Sequence, residues 1–344
     1  MLTVPERRLL TLSVSVCAMV MLMACGGSAP QGGTTAAPQI IKVDGSSTVY
    51  PITEAVAEEF QRQNKGQQVT VGISGTGGGF QKFCRDEIDI SDASRPIKAT
   101  EAESCAKAAV QYVELPVAYD GLAVVVNPKN TWVSSMTVAD LKTLWEPAAQ
   151  GKVTRWNQIR PEWPNAEIHL FGAGVDSGTF DYFTEAIVGK EDASRGDYTS
   201  SEDDNMIVQG VSGDQFALGY FGFAYYEENK DKLKLVPIDD GDDTNGKGPI
   251  LPTPETVKDG TYRPLSRPIF IYPNVKSLDR AEVKAFIEFY LTKGAPLVRE
   301  VGYIPLTDRE YELVRGRLAS RTLGSMYQGT DSHSTVTLEQ RLSK

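Results

Sequence analysis

The chain has 344 residues, with 35 Lys and Arg against 45 Asp and Glu, and a formal net charge of −10. This length predicts about two domains of roughly 150 residues each, with enough apolar residues for a sizeable core. The acidic balance argues against a general nucleic-acid-binding protein, which would carry a basic face. The only histidines are His169 and His333. A metal site with His ligands or a Ser-His-Asp triad therefore has little to draw on.

The first 24 residues have the pattern of a secretory signal peptide. Arg7 and Arg8 precede an apolar run over residues 9–24, which is short for a membrane-spanning helix. The run ends in the letters LMAC, closing at Cys25. This ending resembles the lipobox of bacterial lipoproteins, in which the cysteine is acylated and becomes the new N-terminus. The alternative is an ordinary signal peptide. Residues 25–38 are rich in Gly, Thr, Ala and Pro and predict a flexible tether.

Two cysteines, Cys84 and Cys105, remain beyond the predicted signal peptide and Cys25. Since an exported chain folds in an oxidising compartment, we expect the two to form a disulfide bond. A pair of buried free thiols is the alternative.

From residue 39 onward, predicted strands and helices alternate. Strands are predicted over residues 39–43, 68–73, 88–90 and 168–171, and each runs into a turn rich in Ser, Thr, Asp or Gly. Helices are predicted after three of these turns. One of them is expected to start at Phe80, and Pro51 suits the first turn of another. This repeat is typical of an α/β fold.

Two longer apolar segments stand apart, VAYDGLAVVV at 117–126 and RPIFIYP at 267–273. Each could be a buried central strand, or a strand that crosses between two lobes. The second interpretation divides the chain as follows: lobe 1 is residues 39–116 plus 275–323, lobe 2 is residues 128–262, the hinge crossings are residues 117–127 and 263–274, and a polar tail covers residues 324–344.

The polar turns are the candidate binding sites. The first N–H groups of a helix have no partner inside it and carry the positive end of the helix dipole. Glycines let the main chain approach a ligand, and hydroxyl groups add donors. In α/β folds such turns gather at the carboxyl ends of strands, where ligands bind. The turns at 47–48, 76–77 and 177–179 therefore predict an anion site, although each could also be a simple helix cap.

Catalytic motifs are missing from the sequence. It contains no G-x-x-x-x-G-K-[ST] loop, no complete G-x-G-x-x-G and no G-x-S-x-G. We therefore expect no enzyme activity, no cofactor and no metal site.

The turns resemble those of the phosphate-binding proteins of bacterial Pst-type ABC transporters. The resemblance spans residues 41–324, and six segments carry it: DGSSTVYPITEAVAEEF (44–60), VGISGTGGGFQKF (71–83), IDISDASRPI (88–97), DSGTFDYF (176–183), SEDDNMIVQGV (201–211) and ALGYFGFAYYEEN (217–229). It implies a two-lobed periplasmic-binding-protein fold (type II) with two crossing strands as the hinge. Such a protein closes on one inorganic phosphate outside the cytoplasm and delivers it to a membrane permease and its ATPase. A lipid-anchored monomer that binds no nucleic acid is expected.

The resemblance also implies the binding residues. Hydroxyl and N–H groups on both lobes would contact phosphate, namely those of Ser47, Thr48, Val49, Thr76, Gly77, Ser177, Gly178 and Thr179. Asp92 matches a buried aspartate that accepts the proton of hydrogen phosphate. Because sulfate has no proton at neutral pH, such a carboxylate would reject it. A capping or turn aspartate is the alternative for Asp92.

One position departs from the family pattern. Many members carry an arginine four residues before the Ser of Ser-Gly-Thr, where this chain has Ala173. Arg95 is the nearest candidate to replace it, and we expect it to pair with Asp92, to contact phosphate, or to do both. The alternative is a surface arginine that precedes Pro96.

Competing hypotheses remain at this point. The first is a binder of another tetrahedral oxyanion, such as sulfate, molybdate or tungstate, which a carboxylate in the site would disfavour. The second is a secreted phosphatase or hydrolase, which the missing Ser-His pair and metal ligands disfavour. The third is a phosphate sensor or adhesion lipoprotein that has kept the fold without transport.

Overall fold

The computed structural model describes residues 40–175, 177–201, 203–328 and 336–344, so the predicted signal peptide, the tether and Cys25 lie outside it. The strands are β1 Ile41–Gly45, β2 Val69–Ile73, β3 Ile90–Ala93, β4 Leu115–Val126, β5 Met136–Thr137, β6 His169–Ala173, β7 Thr199–Ser201, β8 Ala217–Gly222, β9 Lys234–Leu235, β10 Ile238–Asp239, β11 Ser266–Pro273 and β12 Ile304–Pro305. The helices are α1 Tyr50–Gln63, α2 Gly75–Phe83, α3 Ala99–Lys107, α4 Val138–Trp145, α5 Gly178–Phe183, α6 Asp204–Gly213, α7 Phe223–Asn229, α8 Pro254–Lys258, α9 Ala281–Glu300, α10 Asp308–Ala319 and α11 Leu338–Leu342. Mixed α/β structure is therefore confirmed. Among the described residues, no helix is long and apolar enough to cross a membrane.

One long sheet runs through the described residues. Its strand order is β2-β1-β3-β11-β4-β8-β6-β7, with β12 and β9 paired to β4 outside this path. Strands β1, β2 and β3 are mutually parallel, whereas β11 runs antiparallel to β3 and β4. The other end of the path is built from β8, β6 and β7. The order of pairing makes β4 the strand shared by both parts of the sheet.

Strand β4 is buried along its whole length, as its ten-residue apolar segment requires. Residues 115–121 pair with β11, and residues 122–126 pair with β8. The two long apolar segments thus form neighbouring antiparallel strands at the centre of the sheet, close to the predicted bounds. The division into two lobes that move about these strands stays a prediction.

The sequence-based bounds are wrong in two places. Residues 91–93 were expected in a turn, but they complete β3, because this strand is buried between β1 and β11. Helix α2 begins at Gly75, five residues before the predicted start at Phe80. Gly79 therefore lies inside the helix, where it packs so closely on β1 that a Cβ atom would lie 2.6 Å from the Gly45 Cα.

The polar tail is partly folded. Residues 336–344 include α11, in which Leu338 and Arg341 are buried. The Arg341 guanidinium lies 4.3 Å from the centre of the Tyr327 ring, a cation–π contact. The described end of the chain therefore packs against the fold.

A small second core holds the end of α2 against α3. Cys84 and Cys105 form a disulfide bond with 4.3 Å between their Cα atoms, which confirms the predicted pairing. The bond lies among buried aromatic residues that include Phe80, Phe83 and Tyr272. It fixes the helix that follows β2 to the helix that follows β3.

Replacing both Cys84 and Cys105 by Ala should lower the free energy of unfolding by about 3 kcal/mol, because the bond closes a loop between residues 21 apart. Thermal unfolding with and without a reductant measures this. We expect the reductant to lower the Tm of the wild type and to leave the double variant unchanged. A wild-type Tm that ignores the reductant would contradict the prediction.

Candidate functional site

Several polar turns meet at one edge of the sheet. Since β1, β2 and β3 are parallel, their carboxyl ends point the same way. Residues 46–49 follow β1, α2 follows β2, and residues 94–98 follow β3. These segments and the start of α5 line a cavity of about 450 Å³. The edge of the sheet at which the turn sequences predict a binding site is therefore a cavity lined by polar residues.

The turn after β1 contacts the start of α5 directly. The Ser47 hydroxyl donates to the Asp181 carboxylate at 2.8 Å, and the Thr48 hydroxyl donates to the Gly178 carbonyl at 3.2 Å. Gly178 is required here, because a Cβ atom would lie 2.6 Å from the backbone of Thr48. Residues 130 or more positions apart thus form opposite sides of one site.

Backbone N–H groups in this region are available to a ligand. No hydrogen bond between described residues uses the amides of Ser47, Thr48 or Val49. The amides of Thr76 and Gly77 lie in the first turn of α2, where a helix offers them no acceptor. Two sets of free donors therefore point from neighbouring turns, an arrangement suited to an anion.

Thr76 joins the start of α2 to the end of β3. Its hydroxyl lies 2.9 Å from the Ser94 hydroxyl and accepts from the Ser94 N–H at 3.1 Å. Ser94 itself lines the cavity. This pair of hydroxyls holds two of the turns at a fixed distance.

Arg95 lines the cavity but does not pair with Asp92. Its guanidinium donates two hydrogen bonds to Glu101, at 2.9 and 2.8 Å. Glu101 also accepts from the backbone N–H of Lys98 at the start of α3. The predicted Arg95–Asp92 pair is therefore wrong, because α3 brings a carboxylate to Arg95 whereas the side chain of Asp92 points into the interior.

Asp92 is fully buried, and neither of its carboxylate oxygens has a hydrogen-bond partner. Thr53 of α1 and Tyr290 of α9 are its buried neighbours. Burial raises the pKa of Asp92 to about 8, although the nearby Thr53 hydroxyl lowers it in part. Among the described residues that line the cavity, Asp92 is absent. Its predicted contact with a ligand stays a prediction.

Arg267, the first charged residue of β11, is a cavity residue that sequence reasoning missed. Its guanidinium lies 3.5 Å from the centre of the Tyr182 ring, and its Nη2 lies 3.4 Å from the Thr48 hydroxyl. Its Nε lies 3.4 Å from the Asp120 carboxylate but makes no hydrogen bond. Arg267 therefore brings a cation with unused donor capacity to the point where Thr48 and α5 meet.

Acidic groups outnumber basic ones in the cavity wall. The basic side chains are Arg95, Lys98 and Arg267, and the acidic ones are Glu101, Asp181, Glu185, Glu191 and Asp192. Burial raises the pKa of Asp181 to about 6 against the effect of the Ser47 hydroxyl, with Glu191 and Asp192 adding to the rise. Burial also raises the pKa of Glu191. Because the charged side chains of the wall are mostly negative, an anion would have to be held by hydrogen-bond donors close to it.

Some of the predicted binding residues line the cavity, and others do not. Ser47, Thr48, Thr76, Gly77 and Arg95 line the cavity. Ser177 caps α5 by accepting from the Thr179 N–H at 3.2 Å, which supports the simple-cap alternative for Ser177. Ser177, Gly178 and Thr179 adjoin the cavity without forming its described wall. The missed cavity residues include Ser46, Ser74, Ser94, Lys98, Asp181 and Arg267. All of these except Lys98 fall within segments that already stood out in the sequence.

Comparison with known proteins identifies the family. A family model described as a PBP superfamily domain matches residues 29–293. The chain is 37% identical to the phosphate-binding protein PstS of Staphylococcus saprophyticus over 307 residues, which is 89% of this chain and 92% of the relative. The chain belongs to the PstS family of the PBP superfamily. It is also 50% identical to the protein SphX of Synechocystis sp., over 89% of this chain and 90% of SphX.

Solved structures agree with this family. A possible phosphate-binding protein from Planctomyces limnophilus is 48% identical and matches with a TM-score of 0.78, covering 83% of this chain and all of that chain. An ABC-type phosphate transport receptor from Vibrio cholerae is 25% identical and matches with a TM-score of 0.61, over 77% of this chain and all of that chain. The expected periplasmic-binding-protein fold is confirmed.

The raised pKa of Asp92 predicts a pH-dependent stability. Because the folded state holds the Asp92 proton to about pH 8 and the unfolded chain releases it near pH 4, stability falls as pH rises between these values, by about 1 kcal/mol per unit. Asp92→Asn should remove this part of the slope. Urea unfolding of both proteins from pH 5 to 7.5 measures it, and equal slopes would contradict the prediction.

Proposed function

We propose that this protein binds inorganic phosphate in the cavity at the carboxyl ends of β1, β2 and β3. The observation that carries the proposal is the convergence of two turns with unused N–H groups and several hydroxyl groups on one cavity. Family membership supports phosphate as the ligand, since several relatives are phosphate-binding proteins. Hydrogen-bond donors held at short range favour the anion despite the acidic surroundings.

The proposed contacts follow from the geometry. The N–H groups of Ser47, Thr48 and Val49 and the hydroxyls of Ser47 and Thr48 would bind from the first turn. Thr76 and the Gly77 amide would bind from the start of α2. Arg267 and Arg95 are the nearby cations, and Arg267 has the more unused donor capacity. We assign to Arg267 the role that the family arginine missing at Ala173 would have played.

Ligand binding would be coupled to closure of the site. Ser47 and Thr48 lie on one side, and Ser177, Gly178 and Thr179 lie on the other side near Asp181. A phosphate that contacts both sides stabilises their approach, which is the differential contact needed to shift a conformational equilibrium. We propose β4 and residues 263–274 as the hinge between lobe 1 and lobe 2.

The proposed role in transport extends beyond the described residues. An extracytoplasmic protein with an acylated Cys25 would stay at the membrane surface and hand phosphate to a permease and its ATPase, without catalysing a reaction. The PstS relative and the transport receptor from Vibrio cholerae support this role. A monomer is sufficient, since every proposed contact comes from one chain.

Calorimetry on the purified mature chain, stripped of bound phosphate, tests the proposal. Phosphate should bind one to one, and sulfate and molybdate at the same concentrations should not compete. If sulfate or molybdate bound more tightly than phosphate, the fold assignment would stand and the ligand would be wrong. If no oxyanion bound, the proposed function would fail.

Removing the Arg267 guanidinium should weaken phosphate binding. We expect Arg267→Ala to raise the Kd about tenfold or more, because a hydrogen bond to a charged group contributes about 1.5–3 kcal/mol. Arg309→Ala is the matched control, since Arg309 is an exposed arginine of α10 that pairs with Glu312. Equal Kd values for the two variants would exclude Arg267 from the site.

A further inference from the structure

Selection of hydrogen phosphate over sulfate requires an acceptor that can receive a proton from the ligand. The two anions have similar shape, but only phosphate keeps an O–H group at neutral pH. A charged carboxylate accepts that O–H group, whereas it meets only lone pairs on sulfate and repels it. The carboxylate must be ionised and must face the ligand.

Asp92 meets neither requirement in this structure. It is buried beside Thr53 and Tyr290. Its backbone carbonyl accepts from the Ser46 N–H at 3.0 Å, but Asp92 is not among the described residues that line the cavity. Since its pKa is raised to about 8, it is mostly neutral at pH 7. A carboxyl group that is mostly neutral and lies outside the described cavity wall is poorly placed to repel sulfate.

Asp181 meets both requirements. It lies in the first turn of α5, lines the cavity, and accepts the Ser47 hydroxyl at 2.8 Å. That hydroxyl belongs to the turn with unused N–H groups, so Asp181 lies beside the proposed ligand. We propose that Asp181, on the opposite side from Asp92, accepts the proton of hydrogen phosphate and rejects sulfate. This inference rests on the proposed function and names the residue that sets its selectivity.

The contact with Ser47 suggests how Asp181 could exchange the serine hydroxyl for the O–H group of the ligand. A serine hydroxyl can rotate, and it both donates and accepts. When phosphate enters, the Ser47 O–H group can turn from Asp181 to a ligand oxygen. The Asp181 oxygen that it leaves can then accept the ligand's O–H group. In the free protein the Asp181 carboxylate thus keeps a hydrogen bond from Ser47 until the O–H group of a protonated ligand takes the place of the serine hydroxyl.

The surrounding charges set the pH at which this selection operates. Asp181 is influenced by Glu191 and Asp192, while Glu185, Arg95, Lys98 and Arg267 line the same cavity. The pKa of Asp181 is raised to about 6, so the group is ionised at pH 8 and largely neutral at pH 5. A neutral carboxyl group can donate to sulfate. Rejection of sulfate should therefore weaken as pH falls through about 6.

The test measures sulfate and phosphate binding by calorimetry at pH 8 and pH 5 for the wild-type mature chain, Asp181→Asn and Asp92→Asn. Glu312→Gln is the matched control, because Glu312 is an exposed acid of α10. Circular dichroism checks that each variant is folded. The wild-type pH profile needs no variant, so it tests the inference even if Asp181→Asn fails to fold.

We expect wild-type sulfate affinity to rise about tenfold or more from pH 8 to pH 5. Asp181→Asn should bind sulfate already at pH 8, with a smaller pH dependence than the wild type. Asp92→Asn and Glu312→Gln should reject sulfate at pH 8 like the wild type. A flat wild-type profile would overturn the inference, as would sulfate binding at pH 8 by Asp92→Asn and not by Asp181→Asn. Wild-type protein that binds no phosphate would instead refute the proposed function itself.

Discussion

The contact between the turn after β1 and the start of α5 is the constraint on which the site depends. Ser47 reaches Asp181, and Thr48 reaches Gly178, over a sequence separation of 130 or more residues. The contact covers the turn that carries the unused N–H groups of residues 47–49, and hydrogen bonds to an anion contribute more there than in open water. The glycine at 178 is what lets the two backbones come together. Arg267 extends the same junction from the central strands, since its guanidinium lies between Thr48 and Tyr182.

An acidic protein with an acidic cavity is an unusual receptor for an anion, and the geometry explains how it can work. Long-range charge is screened over about 8–10 Å in physiological salt. The proposed ligand would instead meet N–H groups, hydroxyls and two guanidinium groups at short range. Two of the acidic side chains have hydrogen-bond partners that limit their repulsion. Glu101 is paired with Arg95, and Asp181 accepts from Ser47.

The sequence predicts the local parts of this arrangement well. Strand periodicity and clusters of Ser, Thr and Gly locate the turns, because they depend on residues that are close in the chain. The disulfide follows from the cysteine count and the predicted export. Residues 91–93 are different, since Ser and Asp favour turns locally but here complete a buried strand. The positions of Arg267 and Asp181 in the cavity wall were missed for another reason. Arg267 lies 219 residues from Thr48 in the chain, and only the pairing of the strands brings the two together.

The disulfide has a consequence for the energetics of ligand capture. It joins the end of α2 to α3, and these helices carry Thr76 and the Glu101 that orients Arg95. One wall of the cavity is therefore cross-linked before any ligand arrives. The conformational entropy of ordering that wall is lost during oxidative folding, and so does not oppose each binding event. If the bond were reduced, part of this entropy cost would be paid when the ligand binds. Ligand affinity would then depend on the redox state of the compartment in which the protein works.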